Sequence, residues 1–267
     1  MSNPLSASLR LLYGLYVWLS LALFGCMTLV LLILLPRLNH RRHLTQFFAR
    51  SFLRMAGIRV ELQQSSLLPT SPCIVVANHS SYIDGIVMKA ALPAHYSFVI
   101  KKEMVKVPLA GLLLRRIGAL FVDRTNRHAG AVDTRRILRG AQTGQSLVFF
   151  PEGTFTHRVG LQAFHLGAFV TAQRTQLPVV PIALHGTRRI LRPESIWPRP
   201  GKVIVEVLGA LPLHTTRKDR SQTEALRDQA RARILMAIGG PDLLIDSAHQ
   251  TPKDIIDNNA TATTPVD

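Results

Sequence analysis

The chain has 267 residues, enough for one sizeable hydrophobic core with appendages rather than for two full domains. Its 32 Lys and Arg residues outnumber the 16 Asp and Glu residues, which gives a formal net charge of +16. From composition alone this charge predicts an anionic partner: a membrane face, a nucleic acid or a phosphorylated substrate. The two cysteines, Cys26 and Cys73, fit a reducing compartment rather than a disulfide framework or a cysteine-based metal site.

The segment 1–36 is predicted to anchor the chain in a membrane. Residues 11–36 include no charged side chain, and about 20 apolar residues suffice to span a bilayer core as a helix. A cleaved signal peptide fits less well, because its apolar region is usually about 7 to 15 residues long and is followed by small residues. Two alternatives stay open: a buried core helix, or a half-inserted hairpin that turns near Gly14 or Gly25.

Basic residues flank this segment unequally. Arg37, Arg41 and Arg42 follow it, whereas Arg10 alone precedes it. Because the cytoplasmic flank of a membrane helix carries the excess of Lys and Arg, the bias places the downstream chain in the cytoplasm. The expected location is the inner, cytoplasmic membrane, with the globular part on its cytoplasmic face.

Residues 40–56 are predicted to form an amphipathic helix. Apolar residues recur there at the i, i+3, i+4 spacing of one helix face, and arginines lie elsewhere on the circumference. Such a helix fits two places equally well, the headgroup zone of a membrane or the surface of the protein core. The apolar positions are Leu44, Phe47, Phe48, Phe52 and Met55.

Beyond Gly57, short β-rich runs alternate with helical stretches. This alternation predicts an α/β fold with a mixed, largely parallel sheet flanked by helices, in a domain over residues 37–245. Pro181 interrupts one run and suggests an edge strand or a bulge. The polar tail, residues 246–267, is predicted to be disordered. The strand candidates are 58–63, 73–77, 97–101, 119–123, 146–150, 179–184 and 202–209, and the helical stretches lie near 84–91, 103–117, 128–142, 164–175 and 221–238.

Polar side chains follow three of these predicted strands. His79 and Asp84 come just after one strand. Asp123 and Arg124 follow a second, and Glu152 follows a third. Because reactive groups in such sheets gather beyond the carboxyl ends of the strands, we expect these side chains to share one edge.

The stretch 78-NHSSYID-84 is a candidate site of acid–base chemistry. A histidine with the ordinary pKa of about 6.5 accepts a proton at neutral pH, and a carboxylate on its other nitrogen fixes the tautomer. His79 and Asp84 suit this work if the turn folds the carboxylate back onto the ring; the alternative is a surface histidine beside a helix N-cap. Ser80 and Ser81 are adjacent nucleophile candidates, but the chain has no G-x-S-x-G elbow. A substrate hydroxyl is therefore the simpler group to activate.

Two further stretches suit anion binding. In 121-FVDR-124, the planar guanidinium of Arg124 is suited to phosphate, although a surface salt bridge is the ordinary alternative. In 149-FFPEGT-154, Pro151 and Gly153 predict a turn whose backbone N–H groups face an anion. Glu152 and Thr154 lie beside that turn, and the alternative is an ordinary connection from strand to loop.

Together these stretches resemble one family, the glycerolipid acyltransferases that include 1-acyl-sn-glycerol-3-phosphate acyltransferase. The resemblance covers roughly residues 58–210, and the family's blocks occur here in the family's order and spacing. A membrane-associated N-terminus is also usual in that family. Asn78, His79 and Asp84 match its N-H-x-x-x-x-D block, Phe121 and Arg124 its F-x-x-R block, residues 150–154 its F-P-E-G-T block, and Val180 and Pro181 its V-P block.

The resemblance implies an O-acyltransferase of phospholipid biosynthesis that uses no cofactor or metal. It would move a fatty acyl group from a thioester of coenzyme A or acyl carrier protein to the free hydroxyl of lysophosphatidic acid. His79 would be the general base and Asp84 its orienting partner. The residues that match the family's acceptor site are Arg124, which would contact the phosphate, and Glu152, Gly153 and Thr154.

Two departures from the family pattern concern the acceptor. Phe155 stands where many members carry Arg, and His165 stands at the usual basic position of the F-[KR]-x-G stretch. Both changes remove fixed positive charge from the region expected to hold the phosphate, and His157 and Arg158 are candidates to supply it. The alternative is the same chemistry on another acceptor, such as lyso-ornithine lipid or another lysolipid.

A remote alternative is a non-enzymatic protein that binds anionic membranes or nucleic acid, and only the net charge favours it. A nucleic-acid binder interleaves aromatic and basic residues, whereas aromatics make up 6% of this chain and lie mostly in apolar runs. The expected partners are therefore anionic membrane lipids, a lysophospholipid acceptor and acyl-CoA or acyl carrier protein, with no nucleic acid.

Overall fold

A seven-stranded sheet forms the centre of the part of the chain that the structure describes. The structure is a computed structural model, and it describes residues 4–123, 127–213 and 220–244. Each of the seven predicted runs forms a strand, so the predicted α/β class is confirmed. The strands are β1 (Ile58–Gln63), β2 (Ile74–Ala77), β3 (Ser97–Lys101), β4 (Leu120–Val122), β5 (Leu147–Phe149), β6 (Val179–His185) and β7 (Gly201–Val207).

Helices cover both faces of this sheet. The prediction of one helical stretch over 103–117 is wrong: a 3₁₀ helix (Lys102–Lys106) and a separate α-helix form there, because Pro108 lies between them and cannot continue a helix. The short helix at Thr187–Ile190 is absent from the prediction. The α-helices are α1 (Pro4–Leu34), α2 (Leu38–Met55), α3 (Asp84–Ala91), α4 (Ala110–Arg116), α5 (Arg127–Gln142), α6 (Gly167–Thr175), α7 (Thr187–Ile190) and α8 (Arg220–Ile238).

The sheet is mixed and largely parallel, as predicted. Its strand order is β1-β7-β6-β2-β5-β3-β4. The five strands from β6 to β4 run parallel to their neighbours, whereas β7 is antiparallel to β6 and carries β1 parallel to itself. The carboxyl ends of β2, β5, β3 and β4 therefore open at one edge, where the polar side chains were expected to meet.

Strand β2 is apolar without alternation because both faces of the sheet are covered. Ile74 and Val76 belong to a core cluster that includes residues of α5, α6 and α8. Val75 and Ala77 belong to a second cluster with residues of α2 and α3 on the opposite face. All four side chains are fully buried, which is the pattern expected of a central parallel strand. A rigid strand thus leads directly into the stretch that begins at Asn78.

Pro181 lies in an inner strand, so the edge-strand alternative is wrong. Strand β6 is flanked by β7 on one side and β2 on the other. Between the pairs Val179↔Leu211 and Ile182↔Val207, two residues of β6 face three residues of the partner segment. That arrangement is a β-bulge, and the bulge alternative is confirmed. The proline's missing N–H falls where the hydrogen-bond ladder is already interrupted.

Helix α1 is unbroken from Pro4 to Leu34, so a hairpin turn near Gly14 or Gly25 is wrong. The segment Ser8–Leu34 is long and apolar enough, by length and composition, to cross a membrane, and its most apolar 18-residue window has a mean hydropathy of 2.5. Only 28% of the most apolar window is buried against the rest of the protein. Most of the apolar surface of α1 is therefore not covered by the rest of the described protein.

The N-terminal half of α1 is tied to the domain by polar bonds. The hydroxyl of Tyr13 donates to the carbonyl of Ala56 at 2.6 Å, and the indole N–H of Trp18 donates to the carbonyl of Ile196 at 2.7 Å. Helices α1 and α2 also pack side by side, and the structure places the inner face of α2 on the core: Phe52 is 4% exposed. Helix α1 is therefore continuous with the folded domain.

Candidate active site

Asn78 anchors the chain where it leaves β2. Its side-chain amide donates to the carbonyl of Leu184 at 3.0 Å, and its side-chain oxygen accepts from the backbone N–H of Leu184 at 2.7 Å. The side chain is 6% exposed, so both bonds are shielded from water. These two bonds join the end of β2 to β6 and define the starting direction of the turn that follows.

Asp84 organises this turn from the first residue of α3. One carboxylate oxygen, Oδ2, accepts from the backbone N–H of Ser80 at 2.7 Å and of Ser81 at 2.9 Å, and it lies 2.7 Å from Nδ1 of His79. The side chain is fully buried at a helix N-terminus, where the helix dipole favours negative charge. The other oxygen, Oδ1, has no partner among the described residues. The turn thus does fold the carboxylate back onto the ring.

The His79 ring is held between two aromatic side chains. Phe150 stacks on it, with ring centroids 4.5 Å apart and planes at 25°. Phe155 meets it edge-on at 4.7 Å, and Tyr82 meets Phe155 in the same way at 4.6 Å. The histidine side chain is 20% exposed, and within the described ranges Nε2 has no hydrogen-bond partner. With Nδ1–H donated to Asp84, Nε2 carries the lone pair and is free to accept a proton.

Neither adjacent serine is placed to act as a nucleophile. The hydroxyl of Ser80 lies 3.1 Å from the hydroxyl of Thr187 at the start of α7. The hydroxyl of Ser81 donates to the carbonyl of Leu191 at 2.7 Å and is fully buried. These bonds turn both hydroxyls toward the segment after β6, and no bond between either hydroxyl and the His79 ring is seen in the described part of the chain.

Glu152 is buried beneath the turn and bound to backbone. Its Oε1 accepts from the backbone N–H of His79 at 2.6 Å, and its Oε2 accepts from the backbone N–H of Gln162 at 3.0 Å. Burial raises the pKa of Glu152 to about 7, against the lowering effect of these two bonds. The Glu152 carboxyl group therefore joins the turn after β2 to the loop at Gln162, and both of its oxygens accept hydrogen bonds.

The substitution Glu152→Gln is expected to remove a pH dependence of stability. In the folded protein this carboxyl keeps its proton up to about pH 7, whereas in the unfolded chain it loses the proton near pH 4.5. The contribution of Glu152 to stability therefore falls as pH rises from about 4.5 to about 7, by roughly 3 kcal/mol, and stays constant above that range. A glutamine does not titrate. The melting temperature of the Glu152→Gln variant should therefore fall less between pH 5 and pH 8 than that of the wild type.

The same substitution should also weaken the turn at pH 8. The amide oxygen accepts a hydrogen bond from only one of the two backbone N–H groups. The amide N–H₂ then faces the other N–H, which loses its acceptor at a cost of about 1–3 kcal/mol. The substitution Glu224→Gln, on α8, removes a carboxylate that pairs with Arg220 away from the site, and it is the matched control. If the melting temperature changed equally between pH 5 and pH 8 in the wild type and in Glu152→Gln, the raised pKa of Glu152 would be contradicted.

The loop after Glu152 is shaped by backbone and by Arg188. Gly153 has a φ of +80°, a conformation that favours glycine, and its N–H donates to the carbonyl of Phe150 at 3.0 Å. Thr154 is exposed, and its carbonyl accepts from the side chain of Gln162 at 2.8 Å. The guanidinium of Arg188 donates to the carbonyls of residues 156 and 157. Backbone carbonyls of the loop thus accept the hydrogen bonds from Gln162 and Arg188 that hold it in place.

The two departures from the family pattern lie on this side of the site. Phe155 makes a T-shaped contact with the His79 ring, and His165 is exposed. His157 lies 3.3 Å from the carboxylate of Glu194, so a nearby negative charge offsets its positive charge when it is protonated. The ring contacts of Phe155 are aromatic, and it brings no positive charge next to the His79 ring.

Arg124 lies outside the described residues. Its neighbour Asp123 is 3.3 Å from Nζ of Lys102, and the backbone N–H of Asp123 donates to the carboxylate of Asp133 at 3.0 Å. These contacts join the end of β4 to α5 and to the 3₁₀ helix after β3. The segment that leads to Arg124 is therefore anchored at the same sheet edge as the end of β2.

Three contributors to the site are missing from the sequence prediction. Phe150 and Tyr82 lie inside the recognised stretches but give no sign of packing around the histidine. Arg188 belongs to α7, directly beyond the carboxyl end of β6. The rule that functional groups gather beyond strand ends was a usable signal for Arg188.

Comparisons with known proteins agree with this geometry. A sequence model of the acyltransferase family matches residues 59–185. The chain is 31% identical over 233 residues to the 1-acyl-sn-glycerol-3-phosphate acyltransferase of Saccharomyces cerevisiae, which covers 82% of this chain and 77% of the yeast protein. It is 31% identical over 181 residues to the 1-acyl-sn-glycerol-3-phosphate acyltransferase alpha of Ovis aries, covering 67% of this chain and 62% of the sheep protein.

A solved structure shares the fold. The crystal structure of the 1-acyl-sn-glycerophosphate (LPA) acyltransferase PlsC from Thermotoga maritima superimposes with a TM-score of 0.65 at 22% sequence identity, over 84% of this chain and 95% of that chain. The fold and the sequence matches together define the class of this protein as an acyltransferase. The chain belongs to the acyltransferase family. Within it, the protein is a 1-acylglycerol-3-phosphate O-acyltransferase-like enzyme, and the resemblance in its motifs is confirmed.

Proposed function

We propose that this enzyme transfers a fatty acyl group from a thioester of coenzyme A or acyl carrier protein to the free hydroxyl of lysophosphatidic acid. The observation that carries the proposal is the pair of His79 and Asp84, 2.7 Å apart beyond the carboxyl end of β2, with Nε2 left without a partner among the described residues. The names of the yeast and sheep relatives support the same acceptor.

The proposed chemistry is a direct acyl transfer. Nε2 of His79 takes the proton of the acceptor hydroxyl while the hydroxyl oxygen attacks the thioester carbonyl. Asp84 stabilises the imidazolium that forms. The C–S bond then breaks as the new ester C–O bond forms. The thiolate leaves and takes the proton back from the imidazolium, so the histidine returns to its starting state. No acyl-enzyme is required, in keeping with the positions of the neighbouring serine hydroxyls.

The acceptor and donor suit the charge of the protein. Lysophosphatidic acid carries a phosphomonoester, and both thioester carriers are phosphorylated or acidic, so the net charge of +16 favours all of them. We assign the acceptor phosphate to Arg124, with the turn at Gly153 and Thr154 beside it. In this proposal Glu152 shapes that turn indirectly, through its two backbone bonds.

The proposed location follows from α1 and its flanking charges. We place α1 in the inner, cytoplasmic membrane and the sheet domain on the cytoplasmic face, where basic residues also meet anionic headgroups. The bonds from Tyr13 and Trp18 to the domain then keep the site close to the bilayer that holds the lysolipid acceptor.

A second candidate is the same chemistry on a less anionic acceptor, such as lyso-ornithine lipid or another lysolipid. The aromatic contacts of Phe155 favour it. A residue that lies edge-on to both His79 and Tyr82 offers an apolar wall where an arginine would offer charge. An acceptor with a less negatively charged headgroup does not need a positively charged residue at this position.

Acyl transfer to a panel of acceptors tests both candidates. The full-length protein, purified in detergent, is given labelled acyl-CoA or acyl carrier protein with lysophosphatidic acid, glycerol 3-phosphate or lyso-ornithine lipid. Turnover highest on lysophosphatidic acid is the expected result. Turnover confined to lyso-ornithine lipid would replace the first candidate by the second, and a folded protein inactive on every acceptor would reject both.

A further inference from the structure

A cavity of about 590 Å³ lies at the far end of α3 from the catalytic pair. Helix α3 begins at Asp84 and ends at Ala91, so its two ends are about 12 Å apart. The walls come from α2, from the loop after β1 and from the segment that joins α3 to β3. The polar residues of the lining are His43, Gln46, Arg50, Ser65, Thr70 and His95.

Two buried cations lie next to this cavity. Arg42 is 5% exposed and Lys89 is 7% exposed. The guanidinium of Arg42 donates to the carbonyl of His95 at 3.1 Å, and Nζ of Lys89 donates to the carbonyl of Ala94 at 2.9 Å. His95 and Ala94 both belong to the residues that line the cavity. Buried charges in proteins are ordinarily paired, yet no carboxylate pairs with either cation among the residues that the structure describes.

The positive groups around the cavity act on one another. Burial, and then the charge of Arg42, lower the pKa of Lys89 to about 8. The pKa of His95 is lowered by burial and then by Arg42, Lys89 and His43. A nearby anion would oppose both effects, because it would favour the charged forms. The cluster is therefore a region of positive charge without an anionic partner in the described chain.

Capping of α3 explains part of this charge but not all of it. The side chain of Arg50 donates through Nε to the carbonyl of Ala90 at 2.8 Å, and Gln46 donates to the carbonyl of Leu92. Such contacts satisfy the last carbonyls of the helix, whose end carries only about half a negative charge. The two terminal nitrogens of Arg50 have no acceptor within the described ranges, and they belong to a residue that lines the cavity.

Apolar side chains lie beside the cationic lining. Phe47, next to the lining residues on α2, is 64% exposed, and Leu67, next to the lining residues of the loop after β1, is 45% exposed. Part of the wall is apolar too, including Leu68 and Tyr96. A charged centre with an apolar rim matches a phosphate that is attached to an apolar group, as in a membrane lipid.

We propose that this cavity is a second binding site, separate from the catalytic pair, for a phosphate group. Its ligand chemistry is a phosphate monoester or diester, supplied by the headgroup of an anionic phospholipid or by free phosphate. Arg50 binds the phosphate oxygens with its terminal nitrogens, His43 and His95 add N–H donors, and the hydroxyls of Ser65 and Thr70 complete the set.

Calorimetric titration of the full-length protein in detergent tests the site. The probes are inorganic phosphate, dihexanoyl phosphatidylglycerol, which is neither acceptor nor product of the proposed reaction, and zwitterionic dihexanoyl phosphatidylcholine. We expect Arg50→Gln to raise the Kd of the anionic probe by about tenfold or more, the loss of one charge-assisted contact. Arg54→Gln lies one turn further along the same helix, outside the cavity, and should leave that Kd unchanged.

The probes separate the two sources of phosphate. Binding of phosphatidylglycerol alone identifies a lipid headgroup site, and binding of inorganic phosphate with similar affinity identifies a site for free phosphate. His95→Gln, which breaks no side-chain hydrogen bond seen in the described residues, replaces Arg50→Gln if the latter fails to fold. The proposal is overturned if neither anion binds, if phosphatidylcholine binds equally well, or if Arg54→Gln weakens binding as much as the cavity variants.

Discussion

Alanine in place of His79 is expected to lower kcat for acyl transfer by about 10²- to 10⁴-fold, the contribution of a positioned general base. The ring has no substitute in the described site: the neighbouring serine hydroxyls are bonded to Thr187 and Leu191, and both oxygens of Glu152 are held by backbone N–H groups. The measurement is kcat with saturating acyl thioester and lysolipid, on protein purified in detergent.

Two comparisons keep this result specific to the base. His40→Ala removes an exposed histidine from the first turn of α2 and should retain wild-type kcat. Removing a ring from between Phe150 and Phe155 also costs packing, so the melting temperature of His79→Ala is measured alongside its activity. A folded His79→Ala variant that keeps more than about a tenth of wild-type kcat would falsify the assignment of the base.

The strands were predictable because each is a short run of β-favouring residues, apolar or alternating, bounded by polar or turn-forming residues. Both faces of β2 are buried, and its unbroken apolar run Ile74–Ala77 indicates this in the sequence. The helices were less predictable where one proline changes the local geometry. Pro108 divides the predicted stretch 103–117, and Pro181 sits inside an inner strand because a bulge in the partner accommodates it. Pro108 itself was a usable signal for the first outcome, whereas the choice between edge strand and bulge at Pro181 depends on the segment that lies opposite it.

The site was predictable only where its parts are close in sequence. His79 and Asp84 are five residues apart, and one turn brings them together. The contact between Glu152 and the backbone of His79 joins residues 73 apart, and it exists because β5 lies beside β2 in the sheet. The aromatic neighbours of the histidine depend on the same adjacency. Sequence spacing carries no information about strand order, so these contacts needed the fold.

The arginines of α2 show a second limit of pattern analysis. A helical period separates apolar from polar positions, and it placed the arginines of α2, Arg42 among them, on the circumference away from the apolar residues. In the structure Arg42 is buried, because the carbonyls of Ile117 and His95 accept its N–H groups. A long side chain can cross an apolar layer when hydrogen-bond acceptors lie on its far side. Periodicity describes the helix alone and is silent on the acceptors of its neighbours.

The substitution Asp84→Asn is expected to lower kcat by about 10³- to 10⁴-fold, as loss of the carboxylate partner does in comparable catalytic histidines. The asparagine oxygen can occupy the position of Oδ2 and accept from Ser80 and Ser81, so the turn has a way to persist. The amide then places its N–H₂ at the position of Oδ1, which is buried without a partner in the described chain. The negative charge that stabilises the imidazolium is gone in either orientation.

The division between kcat and KM distinguishes this role from a merely structural one. A carboxylate that acts on the imidazolium stabilises the transition state alone, so KM for both substrates should stay within roughly threefold of wild type. Asp228→Asn, an exposed change on α8, is the charge-matched control and should have wild-type kinetics. If Asp84→Asn instead raises KM with kcat preserved, or loses activity only in proportion to unfolded protein, the carboxylate shapes the turn without assisting the base. A kcat loss in a folded variant with KM retained assigns Asp84 to the proton transfer itself.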